Sequence, residues 1–343
     1  MSSFVFSEPN FDGHEQVVFA SEPKSGLKAI IAVHNTNLGP AMGGCRMWNY
    51  ESEAEAVTDA LRLSRGMTYK NAVAGLPIGG GKSVILGNPR TDKTPALFEA
   101  LGEALERIGG RYVTAEDVGT SPADMAHVAK KTSFVAGLGE SGDPSPFTAL
   151  GCFVGAQAAI RHALKRDSFD GLVVAVQGLG HVGYDYARRL REAGARLIVA
   201  DIDQAALERA RSELGAEVVP VDSIYDVEAD IYAPCALGAT LNANTLGRIK
   251  AKVVAGAANN QLATADIGEF LRQKGILYAP DFVINGGGII KVCYEYLNKP
   301  ESDVEGHVRQ IGDTLAEIFA RADHEGLPTS VVADRYAESR FKR

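Results

Sequence analysis

Two stretches of the chain carry residue types suited to chemistry. In the first, residues 75–83 read GLPIGGGKS and present a lysine, Lys82, on glycine-rich backbone. A phosphate-cradling P-loop needs glycine, four residues, then Gly-Lys-Ser/Thr, so that backbone N–H groups ring the phosphates. Counting back from Gly81 places the first glycine at Leu76, and Gly75 misses by one. The residues after Lys82, SVIL, are apolar and β-prone, whereas a P-loop lysine opens a helix. What remains is an amine at the lip of a strand, with small neighbours that let a substrate or cofactor approach.

The second stretch, GLVVAVQGLGHVG (171–183), runs from an apolar strand into G-x-G-x-x-G at Gly178, Gly180 and Gly183. A helical pattern follows, and RLIVADID then ends a second strand in Asp201, about 20 residues on, as a dinucleotide fingerprint requires. In such a fingerprint the first glycine makes the turn and the second admits the pyrophosphate. The third packs helix on strand, and the acid takes the ribose hydroxyls. Asp201 and Asp203 would repel a 2′-phosphate, and no arginine immediately follows the strand, so the expected cofactor is NAD rather than NADP.

The elements that must position these residues fall into two halves. The first alternates a strand at 27–35, a helix opened by a Ser52–Glu55 capping box, a strand at SVIL, a helix at 96–108 and a strand at 111–117. Ser121 and Pro122 then read as N-cap and first residue of a further helix. In the second half, apolar segments end in turn at Gly238, at Asn259 and Asn260, and at Asn285 with three glycines. Open α/β sheets bind ligands at the carboxyl ends of their strands, so this series suggests a cleft. The expected class is α/β with two domains: an N-terminal α/β substrate domain (1–140) and a Rossmann-type, doubly wound NAD domain (141–325).

Bulk properties exclude other classes. At 343 residues, with 45% hydrophobic and 23% charged residues, the chain can build two soluble cores. A net charge of −8 without a basic cluster opposes nucleic-acid binding. Cys45, Cys152, Cys235 and Cys293 are scattered, which predicts reduced thiols and no metal site. The opening residues lack the basic and apolar regions of a signal peptide, and no apolar run is long enough to span a membrane. The expected location is cytoplasmic.

The segments LGPAMGGCR, GMTYKNAVAGLPIGGGK, RYVTAEDVGT, GDPSPFTALG, APCALGATLN, GAANNQL and YAPDFVINGGG occur in this order. Together they resemble the Glu/Leu/Phe/Val dehydrogenase family, and within it the leucine dehydrogenases, over nearly the whole chain. The resemblance implies reversible oxidative deamination of an L-amino acid to a 2-keto acid, ammonia and NADH by a homo-oligomer. It implies that Lys70 binds the substrate carboxylate, that Lys82 is the catalytic lysine and that Asp117 is its acidic partner. Asn259 and Asn260 would hold the nicotinamide ribose and the substrate amine, in an order that is left open. Ser145 and Thr148 would lie near the nicotinamide, although Thr148 reads equally well as a helix cap. His181, Val182, Ala236 and Asn285 complete the implied cofactor set, and residues 326–343 would return to the first domain.

The chemistry asks for the same residue types. Water must attack an iminium carbon and the carbinolamine must lose ammonia, so a proton is taken, carried and returned. Desolvation or a neighbouring cation suits an amine to that work. Lys70, Lys82 and Asp117 together speak against a catalytically silent NAD-binding regulator.

By the same resemblance, Met42 stands where glutamate enzymes carry a lysine, so an acidic side chain would be left unpaired. Met42, Gly43, Ala115, Ile289 and Val292 would form an apolar pocket for a branched aliphatic side chain, with phenylalanine as the alternative. Gly286 replaces the family's usual alanine. Lys291, two residues from Ile289 on a helix, is expected to point away from the pocket. The reacting groups lie in different halves, which predicts a shared cleft with a hinge over 137–145.

Overall fold

The computed structural model describes residues 5–138 and 142–342, and it divides into two units. The first comprises Met1–Gly142, Val292–Pro300 and Ala337–Arg343, and the second Asp143–Lys291 and Glu301–Tyr336. The expected hinge includes Gly139, Glu140 and Ser141, which lie outside the described residues.

The first unit contains β1 (Gln16–Glu22), β2 (Leu27–Asn35), β3 (Ala41–Trp48), α1 (Glu53–Val73), β4 (Gly79–Leu86), α2 (Pro95–Ile108), β5 (Tyr112–Glu116) and α3 (Pro122–Ala129). The sheet order is β1-β2-β4-β3-β5. β2 pairs antiparallel with β1 and β4, while β3 runs parallel to β4 and β5. β2 and β4 are central and buried almost throughout, so both faces of each must be apolar or small. Alternation then sorts their side chains. Ile30, Ala32 and Val84 pack under Ala56, Ala60 and Leu61 of α1. Leu27, Ala29, Ile31, Val33 and Ile85 meet Leu97, Phe98, Leu101 and Leu105 of α2.

The capping box forms as expected at its core: Ser52 Oγ accepts from the Glu55 N–H at 3.1 Å. The helix then continues through Gly66 to Val73, carrying Lys70 in its last turn. Asn71 Nδ2 anchors that turn by donating to Gly79 O at 2.6 Å. β4 begins at Gly79, so Lys82 lies within the strand and not at its lip.

The second unit contains α4 (Ser145–Leu164), β6 (Val173–Gln177), α5 (His181–Glu192), β7 (Arg196–Ala200), α6 (Gln204–Leu214), β8 (Glu217–Val218), β9 (Ile231–Pro234), β10 (Val253–Val254), α7 (Ile267–Gln273), β11 (Leu277–Tyr278), α8 (Asp281–Ile284), α9 (Gly287–Tyr296), α10 (Val304–Glu325) and α11 (Thr329–Phe341). α9 and α11 end in residues of the first unit. Six parallel strands are ordered β11-β10-β9-β6-β7-β8. The order reverses between β6 and β9, the switch point at which doubly wound sheets bind ligands.

The segment that joins the first unit is shorter than residues 326–343. Thr329 Oγ1 donates to Tyr278 O at 2.6 Å, which ties the start of α11 to the second unit. Residues 337–342 dock on α1 and the β2 end: Tyr69 Oη donates to Glu338 at 2.7 Å, Asn37 Nδ2 donates to Phe341 O at 2.8 Å, and Phe341 is buried against Tyr69.

Candidate active site

In the second unit the loop after β6 has, at each glycine, the backbone geometry that the G-x-G-x-x-G pattern calls for. Gly178 has φ +99°, and a Cβ there would lie 2.7 Å from the Ala236 backbone nitrogen. A Cβ on Gly183 would lie 2.1 Å from Gly178 O, so this glycine seats α5 against the turn. Gly180, between them, faces open space and is the N-cap of α5 with no side-chain cap bond. An uncapped helix N-terminus with room beside it suits an anionic group. Val182 follows in the first turn of α5, and His181 is highly exposed with its Nδ1 3.6 Å from Asp143 Oδ2.

Asp201 accepts from Leu179 N–H at 2.5 Å and from Asp203 N–H at 2.8 Å, bracing the glycine loop from the end of β7. Asp203 is the N-cap of α6, accepting from Ala205 N–H at 2.9 Å. Asn285 is buried; its Nδ2 donates to Ala257 O and to Asn259 Oδ1, at 3.1 and 2.9 Å. Its Oδ1 is buried without a hydrogen-bond partner among the described residues, a position at which a ligand donor would be stabilising. Asn259 and Asn260 are exposed, and Asn260 adopts φ +52°. Thr148 Oγ1 donates to Pro144 O at 3.4 Å, so its hydroxyl serves the start of α4.

In the first unit, Lys82 and Asp117 meet. Lys82 is 5% exposed, and its Nζ donates to Asp117 Oδ2 at 2.6 Å. β4 delivers the lysine on the sheet face that α1 covers, and Asp117 follows the last residue of β5. The turn is fixed from behind: Asp117 N–H donates to Thr120 Oγ1 at 3.0 Å, and Thr120 Oγ1 donates to Cys45 O at 2.8 Å. Gly44 makes room for the acid, because a Cβ there would lie 2.7 Å from Asp117 Cβ.

The other glycines do not leave open space. Cβ atoms on Gly79, Gly80 and Gly81 would strike the Asn35 carbonyl, the Thr68 backbone and the Tyr112 ring, at 1.9, 2.0 and 2.5 Å. They exist for close strand and helix packing, which corrects the reading of them as room for a ligand. Gly43 is similar, its Cβ position lying 1.8 Å from Gly81 O.

Residues 14–134 match the model described as Glu/Leu/Phe/Val dehydrogenase, dimerisation domain, and residues 199–322 match Glutamate/Leucine/Phenylalanine/Valine dehydrogenase. The chain is 52% identical over 333 residues to leucine dehydrogenase of Thermoactinomyces intermedius, covering 96% of this chain and 91% of that one.

The chain belongs to the Glu/Leu/Phe/Val dehydrogenase family.

It is an NAD(P)-dependent amino-acid dehydrogenase. Phenylalanine dehydrogenase of Caldalkalibacillus thermarum is 45% identical over 352 residues, covering 100% of this chain and 95% of that one. The crystal structure of L-tryptophan dehydrogenase from Nostoc punctiforme superposes with a TM-score of 0.86 at 44% identity, covering 96% of each chain.

Within this dehydrogenase, the remaining named residues lie on several elements. Met42 is fully buried on β3, Ala115 is half-buried on β5, and Lys70 is half-buried at the end of α1. Ile289 and Val292 are half-buried on α9. Lys291 is buried with its Nζ 3.2 Å from Glu301 Oε2, which gives the ammonium a partner in its own unit.

Burial works against the charge on Asp117, but Lys82 and then Arg46 outweigh it and hold the carboxyl below its ordinary value. Arg46 is a participant that the sequence reading missed. Its Nε donates to Asp117 Oδ2 at 3.2 Å and its Nη1 to Asp59 Oδ2 at 2.9 Å. It closes the segment LGPAMGGCR, but nothing local marks its partners, which come from α1 and from the end of β5.

Proposed function

We propose that the enzyme catalyses the reversible, NAD-dependent oxidative deamination of a branched-chain aliphatic L-amino acid, leucine first, with valine and isoleucine. The products are the 2-keto acid, ammonia and NADH. The observation that carries this reading is the pair formed by buried Lys82 and half-buried Asp117, an amine and a carboxylate 2.6 Å apart beside the end of β5.

Bound nicotinamide supplies the acceptor for the hydride that leaves Cα. The chain's own residues do the rest. Gly178, Gly180, His181, Val182 and Gly183 receive the pyrophosphate, Asp201 the adenosine ribose, and Thr148, Ala236, Asn259 and Asn285 the nicotinamide end. Lys70 holds the substrate carboxylate and Asn260 its amine. When water adds to the iminium carbon, Lys82 takes the proton it sheds and passes it to the carbinolamine nitrogen. The carbinolamine hydroxyl proton then passes to Lys82 as the C–N bond breaks, so that ammonia leaves with the bonding pair and the keto acid is complete. Asp117 orients Lys82 and stabilises the ammonium that forms each time Lys82 holds the proton.

Leucine is favoured over glutamate because Met42, fully buried, offers no partner to a side-chain carboxylate. Identity to leucine dehydrogenase (52%) exceeds that to phenylalanine dehydrogenase (45%), which favours the aliphatic substrate over the aromatic one. The match of residues 14–134 to a dimerisation domain supports a homo-oligomer, and the free cysteines suit the cytoplasm.

The test follows NADH absorbance with Leu, Val, Ile, Phe, Trp and Glu, each with NAD and NADP. The highest kcat/KM is expected for a branched aliphatic substrate with NAD. A preference for Phe, Trp or Glu would overturn the substrate assignment.

A further inference from the structure

The Lys82–Asp117 pair is not isolated. Asp117 Oδ2 accepts from Lys82 Nζ and also from Arg46 Nε, and the same guanidinium reaches Asp59 Oδ2 through Nη1. Asp59 also accepts from Tyr50 Oη and Arg62 Nη2, each at 2.8 Å. Arg46 stands on β3, Asp59 on α1 and Asp117 just past β5, so one planar fork joins three elements.

We propose that Arg46 is a positioning residue for catalysis: its fork, braced on Asp59, fixes the carboxylate of Asp117 in the orientation that aims Lys82 at the water and the nitrogen with which it exchanges protons. The proposal rests on the function assigned above and adds a residue to it.

Two observations separate this from a generic ion pair. Asp59 also has Tyr50 and Arg62 as partners, so Arg46 is one of three groups that satisfy it. The backbone of the Asp117 turn is already held by Thr120, so what Arg46 adds is control of the carboxylate itself. Both partners are mostly shielded from solvent, with side-chain exposure of 23% for Arg46 and 12% for Asp59. A guanidinium presents donors in a rigid plane and can bridge two carboxylates at fixed angles. An ammonium is a point charge and cannot. Small errors in such geometry cost rate far more than they cost binding.

The experiment compares Arg46→Lys and Arg46→Gln with the wild type, measuring kcat, KM for leucine and NAD, and the solvent deuterium isotope effect on kcat. Arg46→Lys, which keeps the charge, is expected to lose at least about 10-fold in kcat, with both KM values within about 2-fold. The isotope effect should rise, because misaimed proton transfer becomes rate-limiting. Arg46→Gln should show the same pattern with a larger loss. Should Arg46→Gln fail to fold, Arg46→Lys alone decides. Wild-type kcat in Arg46→Lys, or a loss with an unchanged isotope effect, would overturn the proposal. A wild type that forms no NADH with any amino acid would instead defeat the function on which it rests.

Discussion

Lys82 Nζ lies 2.6 Å from Asp117 Oδ2, and the lysine is 5% exposed while the acid's side chain is 25% exposed. A buried amine is thus held by a carboxylate that still reaches solvent. The carboxyl's ordinary value is depressed, so its ionised form contributes stability above that value and loses it only as pH falls through the lower, folded one. Around neutral pH Asp117 is therefore ionised and able to hold the ammonium that Lys82 becomes when it carries a proton.

The clearance around Asp117 makes Gly44 a sensitive position. An alanine there would put its Cβ 2.7 Å from Asp117 Cβ and from Glu116 O, so the acid must shift. Gly44→Ala should lower kcat by about 10-fold or more with little change in KM for NAD. Gly66→Ala is the control, since nothing lies within 4 Å of its Cβ position in α1. It should raise stability by about 0.5–1 kcal/mol and leave kcat unchanged. Kinetics and thermal melts on the two proteins check both statements.

Lys70 lies in the last turn of α1, a turn pinned to β4 by Asn71. As the carboxylate clamp, Lys70→Ser should raise KM for leucine at least about 10-fold, because a charge-assisted contact is lost. An unchanged KM would remove Lys70 from substrate binding.

Asp201 braces the Leu179 amide of the glycine loop, and the proposed function also assigns it the adenosine ribose. Asp201→Ala should therefore weaken NAD and narrow the preference for NAD over NADP by at least about 10-fold. Dissociation constants for both cofactors, by fluorescence titration, give the ratio directly. A ratio equal to that of the wild type would contradict the assignment.

A pH dependence of stability follows from His34. Burial first, and then the neighbouring His14, push it down to about 4, against the pull of Asp12. Between about 4 and the ordinary 6.5 the unfolded chain binds a proton that the native protein refuses, so stability rises with pH across that window. Acidification from pH 7 to 4 should therefore remove about 3 kcal/mol through this residue, and His14 is shifted in the same direction. Urea melts of wild type and His34→Gln at pH 4.5 and 7 test this, the variant showing the weaker dependence. Equal slopes would rule His34 out as the source.

Local signals proved readable where a single segment contains its own cause. The β2 strand at 27–35, the Ser52 cap, the Ser121–Pro122 helix entry and the glycine fingerprint all reappear in the fold. β3 was missed because AMGGCRMW carries paired glycines that weaken a strand pattern, and only its neighbours β4 and β5 explain them. The same holds for Gly79–Gly81, whose small size serves Asn35, Thr68 and Tyr112, partners distant in sequence. Arg46 and Asp59 escaped notice because an ion network across β3, α1 and the end of β5 exists only after these elements pack.

Lys82 as the proton carrier is tested most directly by leucine-dependent NADH formation in the wild type and in Lys82→Ala, with NADH affinity measured on both. The expected result is an active wild type and a variant at least about 100-fold lower in kcat, with NADH affinity nearly unchanged. A Lys82→Ala enzyme that turns over leucine at close to the wild-type kcat would contradict the assignment.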